Sequence, residues 1–241
     1  MTLRISAFGL SDVGKVRAKN EDTMVVEPSR GIVMVADGMG GAPGGEVASA
    51  LAVQEVCRAL HDSAGLREAM EIANTRVLDA ARANPSLQGM GTTLTVLLFE
   101  TESGAFQVGH VGDSRAYRYH AGDLLQLTRD HTAVDDMVRE GTLSAEKARG
   151  HPMSHILTRA LGTRPESEVD LVLGVAQEGD LFLLCSDGLT KVYRKRELQE
   201  QIEASRGRKL EHLVRSLVDG ANDRGAPDNV TVAALAVEPK G

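Results

Sequence analysis

Four carboxylates in this chain stand at the ends of apolar runs, each beside a glycine or an asparagine. Asp37 follows Ile32-Val33-Met34-Val35-Ala36 and precedes Gly38, and Asp187 follows Leu181-Phe182-Leu183-Leu184-Cys185-Ser186 and precedes Gly188. Asp113 follows Phe106–Val111 and Gly112, and Asp228-Asn229 opens the apolar run Val230–Val237. Apolar, branched runs of this length read as buried strands. Each carboxylate is therefore expected at a rigid strand end, where glycine lets the backbone come close to whatever is bound. No histidine or cysteine stands at zinc-ligand spacing around them, and an all-oxygen donor set favours Mg²⁺ or Mn²⁺. Two such ions about 4 Å apart share a water, lower its pKa and aim it at phosphorus. For any single Asp-Gly pair an ordinary turn is the simpler explanation; the coincidence of four argues for a metal centre.

Arg17 is the candidate phosphate ligand, because a guanidinium offers a fork of donors that matches two phosphate oxygens. The alternative is a solvated arginine in the charged run Arg17-Ala18-Lys19-Asn20-Glu21-Asp22. Glu21 and Asp22 are candidates to hold metal-bound waters and to keep Arg17 oriented; their alternative is plain surface charge. Other constellations are set aside. The glycine loop Gly40–Gly45 lacks the Gly-Lys-Ser/Thr ending of a nucleotide P-loop. His151 and His155 are separated by Pro152, which spoils a helical metal-binding face. Ser114 and Ser186 adjoin aspartates, but no Gly-x-Ser-x-Gly elbow is present. Cys57 and Cys185 form no CxxC and no disulfide framework, and both read as core residues.

The elements that must position these residues come from 241 residues, 42% of them hydrophobic but only 3% aromatic, so the core rests on Val, Leu, Ile, Met and Ala. A net charge of −7 argues against non-specific nucleic-acid binding, which needs a basic surface. No signal peptide opens the chain and no apolar run approaches the ~18 residues of a membrane span, so a cytoplasmic, soluble, monomeric protein is expected. Strands are expected at Ile5–Leu10, Thr23–Glu27, Ile32–Ala36, Gly91–Glu100, Ala105–Val111, Arg115–His120, Leu124–Leu127, Glu168–Leu173, Asp180–Cys185 and Asn229–Val237. Helices are expected at Glu46–Ser63, Leu66–Ala83, Arg194–Ala204 and Lys209–Asn222. The polar segment Thr128–Pro165, with helical patches around Ala133–Glu140 and Ser144–Ala148, reads as a mobile insertion over one end of a sheet. The order of strands, two helices, strands, two helices and a strand departs from βαβ alternation. It suits an α+β, four-layer α-β-β-α sandwich, with two mostly antiparallel sheets flanked by helix pairs, in one domain spanning 1–241.

Eight stretches, in order from near residue 11 to near residue 231, resemble the metal-dependent protein phosphatases (PPM, or type 2C), specifically the short bacterial serine/threonine members. They are Ser11–Gly14 with Arg17–Asp22; Val35–Gly41 with Gly45–Ser49; Gly91–Leu94; Val111–Tyr117; Leu127–His131; Leu157–Gly162; Cys185–Leu189; and Asp228–Thr231. The resemblance implies a binuclear Mn²⁺ or Mg²⁺ centre in which Asp37 bridges both ions and the Gly38 carbonyl binds one. Asp187 and Asp228 would hold the other, Glu21 would act through water with Asp22 behind the ligands, and Asp113 with Asp187 would take a third, weaker ion. Arg17 would bind the phosphoryl group, and 128–165 would be the flap beside the site.

The implied reaction is hydrolysis of phosphoserine or phosphothreonine by direct attack of a metal-bridging hydroxide, in opposition to a bacterial serine/threonine kinase. Met39 departs from the histidine that many eukaryotic relatives carry as a proposed general acid, which leaves that role to a metal-bound water. Two other readings are open. One is a catalytically silent phosphoprotein-binding scaffold on the same fold; the other is a regulator phosphatase acting on an anti-anti-sigma-like phosphoprotein.

Overall fold

The computed structural model describes residues 2–39, 44–148 and 150–238. The elements run β1 (Ile5–Asp12), β2 (Asp22–Glu27), β3 (Ile32–Asp37), α1 (Gly45–His61), α2 (Leu66–Ala83), β4 (Leu94–Phe99), β5 (Ala105–Val111), β6 (Arg115–His120) and β7 (Asp123–Gln126). They continue α3 (Ala133–Arg139), α4 (Ala145–Ala148), β8 (Asp170–Val175), β9 (Leu181–Cys185), α5 (Asp187–Val192), α6 (Lys195–Ala204), α7 (Leu210–Asp223) and β10 (Val230–Val237). Two five-stranded sheets result, in the orders β1-β10-β9-β6-β7 and β2-β3-β4-β5-β8. Every strand pairing within them is antiparallel.

The continuous apolar strands are explained by burial on both faces. In β3, Ile32, Met34 and Ala36 pack beneath α1 and α2, whereas Val33 and Val35 face the other sheet. In β9, Leu181, Leu183 and Cys185 pack against α5, α6 and α7, and Phe182 and Leu184 point between the sheets. Whereas the tyrosines pack on the other face of the β1-β10-β9-β6-β7 sheet, three of the four phenylalanines lie in that inter-sheet layer. There Phe182 meets Phe99 and Phe106 edge-on, with ring centroids 6.3 and 4.8 Å away.

The four-layer α-β-β-α arrangement is therefore the fold, with one amendment. The second helical face carries three helices, because a short α5 begins at Asp187 where the sequence reads as a strand end. The segment expected to be a mobile insertion is also tied down. Within it, Thr158 N–H donates to His131 O and Ala133 N–H to Ile156 O, both at 2.9 Å, and Leu161 N–H reaches out of it to Thr92 O at 2.9 Å. Both cysteines are free; Cys185 is buried, and Cys57 is half-buried against the α1–α2 core. Among the described residues no helix is long and apolar enough to cross a membrane.

Candidate functional site

The site is assembled where β2, β3, β9 and β10 end together. Antiparallel register places Asp22 directly opposite Asp37. Beyond that pair, Gly38 N–H donates to Glu21 O at 3.1 Å. Only glycine fits at 38, because a Cβ there would lie 2.3 Å from Gly45 O and 2.7 Å from Glu21 O. The Asp37 backbone is held from both sides: its N–H donates to Thr93 Oγ1 at 3.0 Å, and its carbonyl accepts from Thr92 Oγ1 and Thr93 N–H, both at 2.9 Å. Thr93 Oγ1 in turn lies 2.7 Å from Ser114 Oγ, which ties in the loop that bears Asp113.

The facing sheet supplies the rest. Ser186 and Thr231 hydroxyls both donate to Asp22 Oδ2, at 2.8 and 2.6 Å. Asn229 knots the N-terminal segment to the start of β10. Its amide group donates to Val13 O and Lys19 O, both at 2.9 Å, and its side-chain oxygen accepts from Glu21 N–H at 2.9 Å. Arg17 is thereby brought beside Asp228, with Nε 2.9 Å from Oδ1 and Nη2 3.0 Å from Oδ2.

Glu21 is near enough for its charge to act on Arg17, but the expectation that Asp22 orients Arg17 is corrected here. Asp228 is its partner, while Asp22 is engaged by Ser186 and Thr231. Sequence reasoning also missed Lys191, whose Nζ lies 2.6 Å from Asp187 Oδ2 and 2.8 Å from Asp228 Oδ2. The signal available was the Asp187-to-Lys191 spacing of four, which becomes visible only once α5 is recognised as a helix. Ser186, dismissed as a nucleophile, serves as a donor to Asp22. Residues 40–43 of the glycine loop lie outside the described residues.

These carboxylates repel one another. Burial, and then the charges of Asp22, Asp187, Asp113 and Asp228, push the Asp37 carboxyl well above its ordinary range. Burial lifts Asp22 to about 7 against the pull of its two hydroxyl donors. Burial and the charges of Asp187 and Asp130 lift Asp113 to about 8. Asp187 is raised by burial despite Lys191, and Glu21 is raised by burial and by Glu46. Asp228 goes the other way, because hydrogen bonds and charge from Lys191 and Arg17 outweigh its burial.

Oδ1 of Asp22 and Oδ1 of Asp187 are buried with no hydrogen-bond partner. Such a cluster is unfavourable alone, and a divalent cation relieves both the repulsion and the orphaned lone pairs. Among the described residues, no three Asp, Glu, His or Cys side chains close on a single point. That is compatible with Mg²⁺-type binding, which uses one or two carboxylates and fills the remaining positions with water and backbone carbonyls. Asp187 and Asp228 each keep 18% of their side-chain surface exposed. Cavities of about 290 and 150 Å³ lie elsewhere, beside residues of the 128–165 segment, and are lined by none of these carboxylates.

A family model described as Protein phosphatase 2C matches residues 17–227. The chain is 37% identical over 243 residues to the serine/threonine protein phosphatase PstP of Mycobacterium tuberculosis, covering 98% of this chain and 46% of PstP. It thus spans about half the length of that relative. It is 37% identical over 235 residues to the serine/threonine phosphatase stp of Listeria monocytogenes, covering 92% of each. Among solved structures, the catalytic domain of PstP in complex with two manganese ions superposes with a TM-score of 0.87 at 34% identity, covering 99% of this chain and 100% of that one. Matched by the family model over most of its length, the chain belongs to the protein phosphatase 2C family.

Proposed function

We propose that this chain is a metal-dependent protein phosphatase domain that hydrolyses phosphoserine and phosphothreonine. The observation that carries the reading is the pole of buried, mutually repelling carboxylates, two with orphaned oxygens, set beside Arg17. In this reading Asp37 and the Gly38 carbonyl would help to hold two Mn²⁺ or Mg²⁺ ions. Asp187 and Asp228 would complete the ions' ligands, Glu21 would act through water, Asp22 would brace the cluster from behind, and Asp113 would join Asp187 at a weaker third position. When bound, the ions supply an activated water and positive charge for the phosphoryl oxygens.

The protein's own part is positioning. Asp228 grips one edge of the Arg17 guanidinium, Nε and Nη2, and leaves the Nη1 edge to meet two phosphoryl oxygens. Arg17 is 40% exposed, so its guanidinium is within reach of a phosphorylated side chain on another protein. Phosphoproteins, and a serine/threonine kinase working in the opposite direction, are the partners that follow. A silent scaffold is disfavoured, because phosphopeptide binding alone gives no physical reason to bury repelling carboxylates together.

The test is phosphate release from a phosphothreonine peptide with Mn²⁺ and with EDTA. Release in Mn²⁺ that EDTA abolishes is expected. A protein that binds Mn²⁺ yet releases no phosphate from any phosphopeptide would overturn the reading in favour of the scaffold.

A further inference from the structure

Lys191 stands on α5, one turn beyond Asp187, and its ammonium bridges one oxygen of Asp187 and one of Asp228 at 2.6 and 2.8 Å. These are the two side chains that would share an ion in the reading above, on which this inference rests. A Mg²⁺-sized ion binds carboxylate oxygens at about 2.0–2.1 Å. An ion shared by these oxygens would therefore fall on the volume that the ammonium fills, and the two cations exclude each other. The side chain is not trapped, since 37% of it is exposed, so it has an exit to solvent.

We propose that Lys191 is a built-in counter-cation that occupies the Asp187–Asp228 position in the metal-free protein and must swing out before a divalent ion can enter. The residue neutralises the carboxylate pair while no metal is present, and in doing so it weakens that position for metal. A single positive charge exchanged for a doubly charged ion makes the trade favourable only above a threshold of metal concentration.

The experiment is calorimetric titration of Mn²⁺ into the metal-free wild type, Lys191→Met and Lys191→Arg, with melting temperatures in EDTA and in saturating Mn²⁺. For Lys191→Met we expect the Kd of the affected site to fall about tenfold. Its melting temperature in EDTA should also fall, because Asp187 and Asp228 lose their counter-ion. Lys191→Arg, which keeps the charge, should not tighten binding. An unchanged or weaker Mn²⁺ affinity in Lys191→Met overturns the inference while leaving the phosphatase reading intact, whereas a wild type that binds no Mn²⁺ at all defeats both.

Should Lys191→Met not fold, brief acetic anhydride labelling of the wild type, read by mass spectrometry, decides the matter. Labelling of Lys191 relative to Lys195 should rise severalfold on adding Mn²⁺. Labelling that stays level or falls overturns the displacement.

Discussion

The two ends of β9 carry buried aspartates that have been treated in opposite ways. Asp180, just before the strand, is wholly inaccessible, and both its oxygens are engaged. Arg118 approaches Oδ2 at 2.6 Å, His120 Nδ1 lies 2.6 Å from Oδ1, and Gln177 N–H donates to Oδ2 at 2.8 Å. Asp187, just after the strand, shares its surroundings with other carboxylates, and its Oδ1 has no partner. A buried charge persists when it is fully paired or when something outside the chain completes it. Asp180 is of the first kind and fastens β6 to the turn before β9. Asp187 is of the second kind, and the missing complement is what marks a site.

Substitutions at the carboxylate pole, where Asp187 lies with Asp37, and at Asp180 should therefore separate cleanly. Asp37→Asn should lower phosphatase activity in Mn²⁺ about a thousandfold or more with the circular dichroism spectrum unchanged; near-wild-type turnover would break the assignment of that pole. Asp180→Ala should cost about 3–5 kcal/mol of stability in urea melts, because it strands the Arg118 cation, while activity per folded molecule stays level. If activity falls as far as stability, the contrast between the ends fails.

Arg17→Ala should reduce kcat/KM about a hundredfold, and Arg17→Lys should recover only part of it, since an ammonium cannot present the fork. Asp113→Asn should stabilise the metal-free protein by about 1 kcal/mol near pH 8, because it removes one repelling charge. A loss of stability in EDTA would show that Asp113 is held by contacts rather than strained by neighbours.

The smallest expected effect is the pH dependence in EDTA. Asp22 titrates at about 7 and Asp113 at about 8 in the folded protein, and Asp37 and Asp187 are raised as well, whereas an unfolded aspartate titrates near 3.9. The folded state thus holds more protons over this interval, and stability contributed by these groups is present below about pH 4 and lost as pH rises towards 8. Asp228, lowered in the fold, acts oppositely and only at acid pH. Melting temperature in EDTA should decline between pH 5 and pH 8, and the gain from Mn²⁺ should grow over the same range. A flat profile would mean that neither burial nor the neighbouring charges raise these carboxyls.

Much of this was legible in the chain itself. Helix α2 and strands β5 and β6 begin and end where hydrophobic period, Asn84-Pro85 and the intervening glycines place them. Strand β8 was displaced by two residues, from Glu168–Leu173 to Asp170–Val175. It lies at a sheet edge with Leu173 and Val175 exposed, so hydrophobic burial constrains its register weakly. Gly91–Thr93 reads as strand, yet β4 begins only at Leu94: Thr92 makes isolated bridges to Gly38 and Leu161, and the hydroxyls of Thr92 and Thr93 bond the Asp37 backbone.

What the amino-acid order determined alone was the local part: alternating burial, the positions of breaks, and carboxylates waiting at strand ends, all of which depend on neighbours a few residues apart. Which cation answers which carboxylate was decided only by the packing of the two sheets. Arg17 meets Asp228 across 211 positions of sequence, and Lys191 reaches the same residue across 37. Pairings between charges far apart in the chain follow distance in space, which no periodicity encodes; the Asp187–Lys191 pair, four residues apart on α5, is the local exception at this site.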